Sequence, residues 1–264
     1  MRVAEALAEA ERRLAAAGVD TPRVDAELLV GHVLGETRTQ IYADSERAVD
    51  DAKLEPLLRR REEREPLAYV LGEWGFRGLT LRTDERALVP RPETEVVVER
   101  ALALIAGVPE PRVLDVGVGG GAIALAIADE HAGARVTGVD TSESALQLAR
   151  ENAERLGLDV ELRRAGVEAA EEGWDLVVSN PPYVDAGELP HLQPELRHEP
   201  RGALVEAGLH EELARRAQTT WLVLEIGEDQ AQALARTLDE LGYYDVRVTP
   251  DLAARDRVIE GRRR

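Results

Sequence analysis

Four consecutive residues, Asn180, Pro181, Pro182 and Tyr183, place an amide side chain, two backbone carbonyls and an aromatic ring on one short, stiff segment. Such a set could grip a planar polar group and hold it at a fixed angle. The residues just before it, Trp-Asp-Leu-Val-Val at 174–178, are apolar and β-branched, and lie between Gly173 and the proline pair. They read as a buried strand. Pro181 cannot donate to a sheet ladder, so the strand must stop at Ser179 or Asn180. Asn180 precedes a proline, which biases its backbone toward extended geometry. The four residues therefore form a rim at the carboxyl end of a strand, where open α/β sheets bind ligands. A plain proline-rich turn would have the same local sequence.

A second constellation lies at 113–122, Val-Leu-Asp-Val-Gly-Val-Gly-Gly-Gly-Ala. It reads as a strand, a glycine loop and a helix start, and glycine lets backbone approach a ligand closely. Gly117, Gly119 and Gly121 are spaced G-x-G-x-G, which is not the G-x-G-x-x-G of dinucleotide enzymes. No Gly-Lys-Ser/Thr follows, so a phosphate-cradling loop is excluded. Alone, the loop could be a tight strand–helix turn. The next strand, at 134–140, ends in Asp140, whose carboxylate could accept both hydroxyls of a ribose. Glycine loop and acidic strand end together favour a nucleoside-bearing cofactor over a simple helix cap.

These residues need elements to position them. From 112 onward strands and helices alternate. Strands are predicted at 112–116, 134–140, 159–164, 174–180, 220–227, 244–250 and 256–262, and helices at 120–131, 142–156, 208–218 and 229–241. Gly157 and Gly242 fall at helix ends. Alternation of this kind predicts a mostly parallel, doubly wound sheet. The last two strands are joined too briefly for a parallel crossover, so they should be antiparallel. Upstream, residues 1–72 read as a small helical domain, with helices near 2–17, 22–35, 37–42 and 50–64. Asp20-Thr21-Pro22 is expected to start the second of these, with a capping residue and the proline just inside. Residues 73–90 read as a β-hairpin linker, with 74–81 as one strand and 86–89 as its return. A helix follows at 94–106, and residues 91–264 form the α/β domain.

Composition narrows the class. The chain has 264 residues, 44% of them hydrophobic but only 3% aromatic, so the core must be aliphatic. A net charge of -18 argues against an extended grip on nucleic acid, which needs clustered Lys and Arg. With no cysteine, disulfides, thiolate metal sites and cysteine nucleophiles are excluded. The histidines show no metal-ligand spacing, so no metal is expected. The acidic amino-terminal helix is no signal peptide, and no apolar run approaches the ~20 residues of a membrane span. A soluble, cytoplasmic protein is expected. There is no internal repeat.

At this point the chain resembles a known family. Glycine loop, acidic strand end and Asn-Pro-Pro-Tyr, in that order, resemble the class I S-adenosylmethionine-dependent methyltransferases. Their Asn-Pro-Pro-Tyr variant is shared by adenine-N6 and glutamine-N5 methylating branches. The wider match is to the glutamine-N5 methyltransferases of peptide-chain release factors. It is carried by Arg-Glu-Pro-Leu-Ala-Tyr at 64–69, Val-Pro-Arg-Pro-Glu-Thr-Glu at 89–95, Arg-His-Glu-Pro at 197–200, Leu-Glu-Ile-Gly at 224–227 and Arg-Asp-Arg-Val at 255–258, and covers nearly the whole chain. The resemblance implies a Rossmann-like, mostly parallel seven-stranded sheet, with S-adenosylmethionine as cofactor. The substrate it implies is the Gly-Gly-Gln loop of class I release factors, with the helical domain helping to dock that partner. Asn180, Pro181, Pro182 and Tyr183 would be catalytic. Gly117, Val118, Gly119, Gly120, Gly121, Asp140, Val167 and Asn180 would bind the cofactor.

Three departures stand out. Val118 and Gly120 replace the threonines of the family's usual Gly-Thr-Gly-Thr-Gly. Gly166 and Val167 stand where an acidic and a large apolar residue usually flank the adenine, with Glu168 as a possible substitute. The stretch between Leu204 and Trp221 is short and lacks the usual Pro-Gly-Gly turn.

A primary amide nitrogen is a poor nucleophile, so the site must orient it. The Asn180 oxygen and the Pro181 carbonyl could each accept one N–H and aim the lone pair at the methyl donor. Adenine N6 would suit the same rim, so an adenine-N6 nucleic-acid methyltransferase is the alternative, and an inactive cofactor-binding module a third reading. Charge and the lack of a target-recognition domain favour a protein substrate. Arg91, Thr94 and Glu95 are candidates for the cofactor entrance, with an ion pair and a helix cap as the plainer alternative. His198 and Glu199 are expected to have structural roles, and Glu225 to be a satisfied strand-end carboxylate.

Overall fold

The computed structural model of the protein describes residues 1–184, 186–205 and 208–263. Asp185, the two residues at 206–207 within the shortened stretch, and Arg264 at the end of the expected α/β domain lie outside the described residues. The chain divides into two compact units, Met1–Glu73 with Gln193–His198, and Trp74–Leu192 with Glu199–Arg264.

The first unit is helical: α1 (Val3–Ala16), α2 (Pro22–Leu34), α3 (Arg38–Ile41), α4 (Asp51–Glu62) and α5 (Leu67–Leu71). Val3, Leu7, Ala10 and Leu14 recur at helical spacing and bury against Ala26, Leu29 and Val30 of α2. Gly35 closes α2 in the left-handed conformation. Thr21 does not cap it: its hydroxyl donates to Asp25 Oδ1 at 2.8 Å instead of accepting a backbone N–H. Asp25 is drawn into an ion cluster. Arg61 Nε donates to Asp25 Oδ2 at 2.7 Å, and Arg61 and Arg64 both hold Glu195 of the returning segment, at 2.8 and 2.7 Å. Breaking such a buried pair costs about 3–5 kcal/mol, so the cluster strongly specifies where residues 193–198 lie in this unit.

The hairpin is tighter than the sequence predicts. β1 (Glu73–Phe76) pairs with β2 (Leu79–Arg82) across a two-residue turn, with Arg77 at φ 50°. The stretch read as one strand thus contains both strands and their turn. Residues 86–89, read as the return strand, have no strand partner.

The second unit continues with α6 (Thr94–Ile105), β3 (Arg112–Val116), α7 (Ala122–Glu130), β4 (Arg135–Asp140), α8 (Glu143–Leu156), β5 (Glu161–Arg164), β6 (Trp174–Ser179), α9 (Leu209–Arg216), β7 (Thr219–Glu225), α10 (Ala231–Glu240), β8 (Tyr244–Pro250) and β9 (Asp256–Arg262). The sheet has seven strands in the order β5-β4-β3-β6-β7-β9-β8. The first five run parallel, while β9 pairs antiparallel with both β7 and β8, as the short connection requires. Alternate strand residues serve opposite faces. Val113, Leu176 and Val178 pack under α6 and α7, whereas Leu114, Val177 and Leu222 pack against α9 and α10. Burial on both faces explains why these strands read as unbroken apolar runs. No helix among the described residues is long and apolar enough to cross a membrane.

The strand order sets the site. From β3 the chain moves outward through β4 and β5, then returns to β6 on the other side of β3. That reversal opens a crevice at the carboxyl ends of β3 and β6. Val116 lies beside Ser179, so Gly117 and Asn180 emerge side by side. Ser179 Oγ donates to Val116 O at 2.6 Å and ties the two strand ends together. Ser179 also lies beside Leu224, which puts Glu225 at the same level on β7.

Candidate active site

The glycine turn is held by its own backbone. Gly117 N and Val118 N both donate to Val139 O, at 2.8 and 2.9 Å, and Gly121 N donates to Val118 O at 2.8 Å. Gly121 has φ 94°, and a Cβ there would lie 2.8 Å from Leu125 Cδ1, so the helix can begin only at glycine. Asp140 fastens the loop. Its Oδ2 accepts from Gly119 N at 3.0 Å, and its Oδ1 accepts from Ser142 N at 2.8 Å. The carboxylate thus also serves the start of α8, and each oxygen keeps a second lone pair for a ligand. Val118 turns its side chain into the core, where it fills the space above Gly138. Gly120, where the resemblance implies threonine, faces Leu148 and Ala87; an added Cβ would lie 3.4 and 3.7 Å from them.

Opposite the turn stands the Asn-Pro-Pro-Tyr rim. Asn180 Nδ2 donates to Thr94 Oγ1 at 3.2 Å, and Thr94 Oγ1 donates to Glu225 Oε2 at 2.6 Å. Tyr183 OH donates to the other Glu225 oxygen at 3.4 Å. Arg257 Nη1 reaches Tyr183 OH at 3.5 Å and Ile226 O at 3.3 Å, and its Nη2 pairs with Asp251 at 3.3 Å. Neither Asn180 Oδ1 nor the Pro181 carbonyl has a hydrogen-bond partner among the described residues. Burial pushes the Glu225 carboxyl up to about 7, against the opposing pull of Thr94 and Arg257. Burial, helped by the Glu225 charge, pushes the Tyr183 hydroxyl up to about 12. Beneath the rim, Asp115 is fully buried, accepts from Ala124 N at 3.1 Å, and is likewise pushed up to about 7, chiefly by burial.

One cavity brings these parts together. Gly117, Val118, Gly119, Gly120, Thr94, Arg91 and Asn180 line it. Leu88 and Val89 line it too, so the segment expected to be a hairpin strand is instead a strap along the cavity. Buried Glu199 anchors that strap by accepting from Val89 N at 3.0 Å and pairing with the Arg91 guanidinium. Glu95 is not at the entrance: it accepts from Arg77 N at 2.8 Å and locks the hairpin turn. His198 is exposed and belongs to the helical unit. Val167 packs on the second core face, and Glu168 folds back onto Gly166 N at 2.8 Å; neither lines this cavity. The Ala165 N bond to Asp140 O keeps their segment next to the end of β4.

One positioning residue escapes a reading of the sequence alone. Asn152 of α8 is fully buried, donates to Gly120 O at 2.9 Å and to Arg82 O at 3.1 Å, and accepts from Arg82 N at 2.7 Å. It stitches the glycine turn to β2. Its signal is a lone amide on an otherwise apolar helix face. Thr94, a candidate for the cofactor entrance, does line the cavity, and its hydroxyl lies between Asn180 and Glu225.

The geometry fits S-adenosylmethionine. A glycine turn without side chains offers close backbone approach, an adjacent carboxylate has spare lone pairs for a ribose, and no phosphate-binding loop competes. Comparison with known proteins agrees. Residues 5–72 match the PrmC N-terminal domain, and residues 97–225 match the methyltransferase small domain. The release factor glutamine methyltransferase of Deinococcus radiodurans is 40% identical, over 100% of this chain and 99% of its own. That of Salmonella typhimurium is 41% identical, over 92% of this chain and 93% of its own. Among solved structures, the hMettl16 catalytic domain aligns with a TM-score of 0.57 at 15% identity, covering 70% of this chain and 76% of that one. The Thermus thermophilus 16S rRNA methyltransferase RsmC aligns at 0.53 and 19%, covering 73% and 50%. At such identities these structures show the fold, a class I methyltransferase sheet, and nothing of the substrate. The full-length relatives decide the family: this chain belongs to the release factor glutamine methyltransferases.

Proposed function

We propose that this enzyme methylates the side-chain nitrogen of the glutamine in the Gly-Gly-Gln loop of class I release factors, with Asn180 and Pro181 gripping that amide. The observation that carries the reading is the polarity of Asn180. Its NH2 is engaged by Thr94, so its carbonyl oxygen is left, beside the Pro181 carbonyl, to meet a donor. A primary amide presents two N–H donors in a plane. Two fixed acceptors match them and turn the lone pair toward the glycine turn next door. They also stabilise positive charge as it develops on the nitrogen. Pro181 and Pro182 hold the acceptors stiffly. Tyr183, anchored through Glu225, supplies a ring face for the planar amide.

S-adenosylmethionine supplies, when bound, a methyl group on a positively charged sulfur. The backbone of Gly117, Val118, Gly119, Gly120 and Gly121 would hold it, with Asp140 on the ribose and the segment of Val167, outside the cavity but kept next to the end of β4 by the Ala165 N bond to Asp140 O, toward the adenine. We assign the helical unit to docking the release factor. The net charge of -18 supports a protein substrate over nucleic acid, and the same reading puts the reaction in the cytoplasm with its substrate. The test is mass spectrometry of a release factor after incubation with enzyme and cofactor. One added methyl on the loop glutamine is expected. Transfer to DNA or RNA, with none to the release factor, would refute the reading.

A further inference from the structure

The residues of the reaction centre are not the last word on how it is oriented. A hydroxyl carries one proton. Thr94 donates its proton to Glu225 Oε2, so only lone pairs remain for Asn180. The carboxamide must then turn its NH2 to Thr94 and its oxygen to the cleft. An ionised carboxylate can only accept, which gives this chain a single direction.

We propose that Glu225 and Thr94 are positioning residues that set the donor–acceptor polarity of the rim, by holding the Asn180 oxygen, and not its NH2, toward the substrate amide. This rests on the reading that Asn180 accepts from the glutamine. It adds the cause of that orientation, which lies on two other elements, the first turn of α6 and the end of β7. Were Glu225 protonated, its carboxyl could donate to Thr94. Thr94 would then donate to Asn180 Oδ1, and the amide would turn over. Its NH2 would face the substrate NH2, donor against donor, and the grip would fail.

The groups around Glu225 bear on this switch. Tyr183 donates to Oε1 from the loop after β6. Arg257 of β9, itself paired with Asp251, favours the ionised form, and the Glu93 charge ahead of α6 opposes it. His210 of α9 is hydrogen-bonded to the Glu225 backbone carbonyl at 2.8 Å, and burial lowers its own affinity for a proton.

The experiment uses the full-length enzyme with a release factor as substrate, and compares N180A, T94V, T94S and E225Q. We expect T94V and E225Q to lower kcat by about 10- to 100-fold, with the release-factor KM and the calorimetric affinity for S-adenosylhomocysteine changed less than about threefold. T94S, which keeps the hydroxyl, should recover most of the loss. Wild-type kcat should rise with pH through the Glu225 titration, and E225Q should flatten that limb. A readout without turnover is the side-chain amide signal of Asn180 in nitrogen-15-labelled protein. It should move with pH in wild type and stay put in E225Q, and it keeps the inference testable if T94V fails to fold. A wild-type Asn180 signal indifferent to pH, or normal kcat in folded T94V, overturns the inference. If N180A itself keeps normal kcat, the underlying reading of Asn180 fails instead.

Discussion

The two walls of the active site are built by different means. The glycine turn is a local object: Gly117, Val118 and Gly121 are held by backbone bonds to the adjacent strand and within the turn itself, and Gly119 by the Asp140 carboxylate. The Asn180 rim is a long-range object. Its orientation comes from Thr94, 86 residues upstream, which in turn is held by Glu225, 131 residues further along. A wall made of backbone tolerates changes in side chain, and Val118 and Gly120 in place of threonines are consistent with that. A wall made of side-chain hydrogen bonds is specific and vulnerable, because Thr94 and Glu225 are buried, Asn180 and Tyr183 are half-buried, and each holds the next.

Variants of the rim should change turnover, and variants of the turn should change cofactor affinity. The largest effect is expected for N180A, with kcat down about 100- to 1,000-fold and calorimetric cofactor binding preserved. A variant that loses cofactor affinity instead would merge the two walls into one. D140A should do the reverse. It removes the tie to Gly119 and the carboxylate we propose for the ribose, so affinity for S-adenosylhomocysteine should weaken about 10- to 100-fold, with kcat at saturating cofactor nearly unchanged. Next comes N152A, which strands Gly120 O and both Arg82 backbone groups. Thermal or urea unfolding should show a loss of about 2–4 kcal/mol, with cofactor affinity falling more than kcat.

The smallest effect sharpens the picture through pH. Glu225 has a carboxyl raised from 4.5 to about 7 in the folded protein. Between those values the native state binds more protons than the unfolded one, so its contribution to stability declines as pH rises and levels off above about 7. E225Q carries no such dependence. The melting temperature of E225Q relative to wild type should therefore climb between pH 5 and 8, on the order of a few degrees. Wild-type turnover should climb over the same range. Stability and activity would then trade against each other at one carboxyl, and parallel changes in both would argue against it.

Much of this was legible in the chain because it is local. Apolar runs at 112–116 and 174–178, the first followed directly by Gly117 and the second stopped by the Pro181-Pro182 pair, mark buried strands. The short link before Asp256 dictates an antiparallel pair by chain length alone. Where the reading failed, the deciding partner was distant. Residues 74–81 alternate like one strand, and the turn at Arg77 is secured by Glu95, which no local pattern shows. Thr21 has the composition of a cap, but Asp25, itself claimed by Arg61, takes its hydroxyl proton. Residues 86–89 look like a strand and become a strap because Glu199 holds Val89 and Arg91.

The chain by itself determined the sheet, the glycine turn with Asp140 behind it, and the stiff Asn180-Pro181-Pro182-Tyr183 segment, since backbone geometry, proline and hydrophobic period act within a few residues. Only the tertiary structure decided which way the Asn180 amide faces. A carboxamide has two nearly isosteric ends, and the choice between them depends on a hydroxyl proton that Glu225 claims from the end of the neighbouring strand.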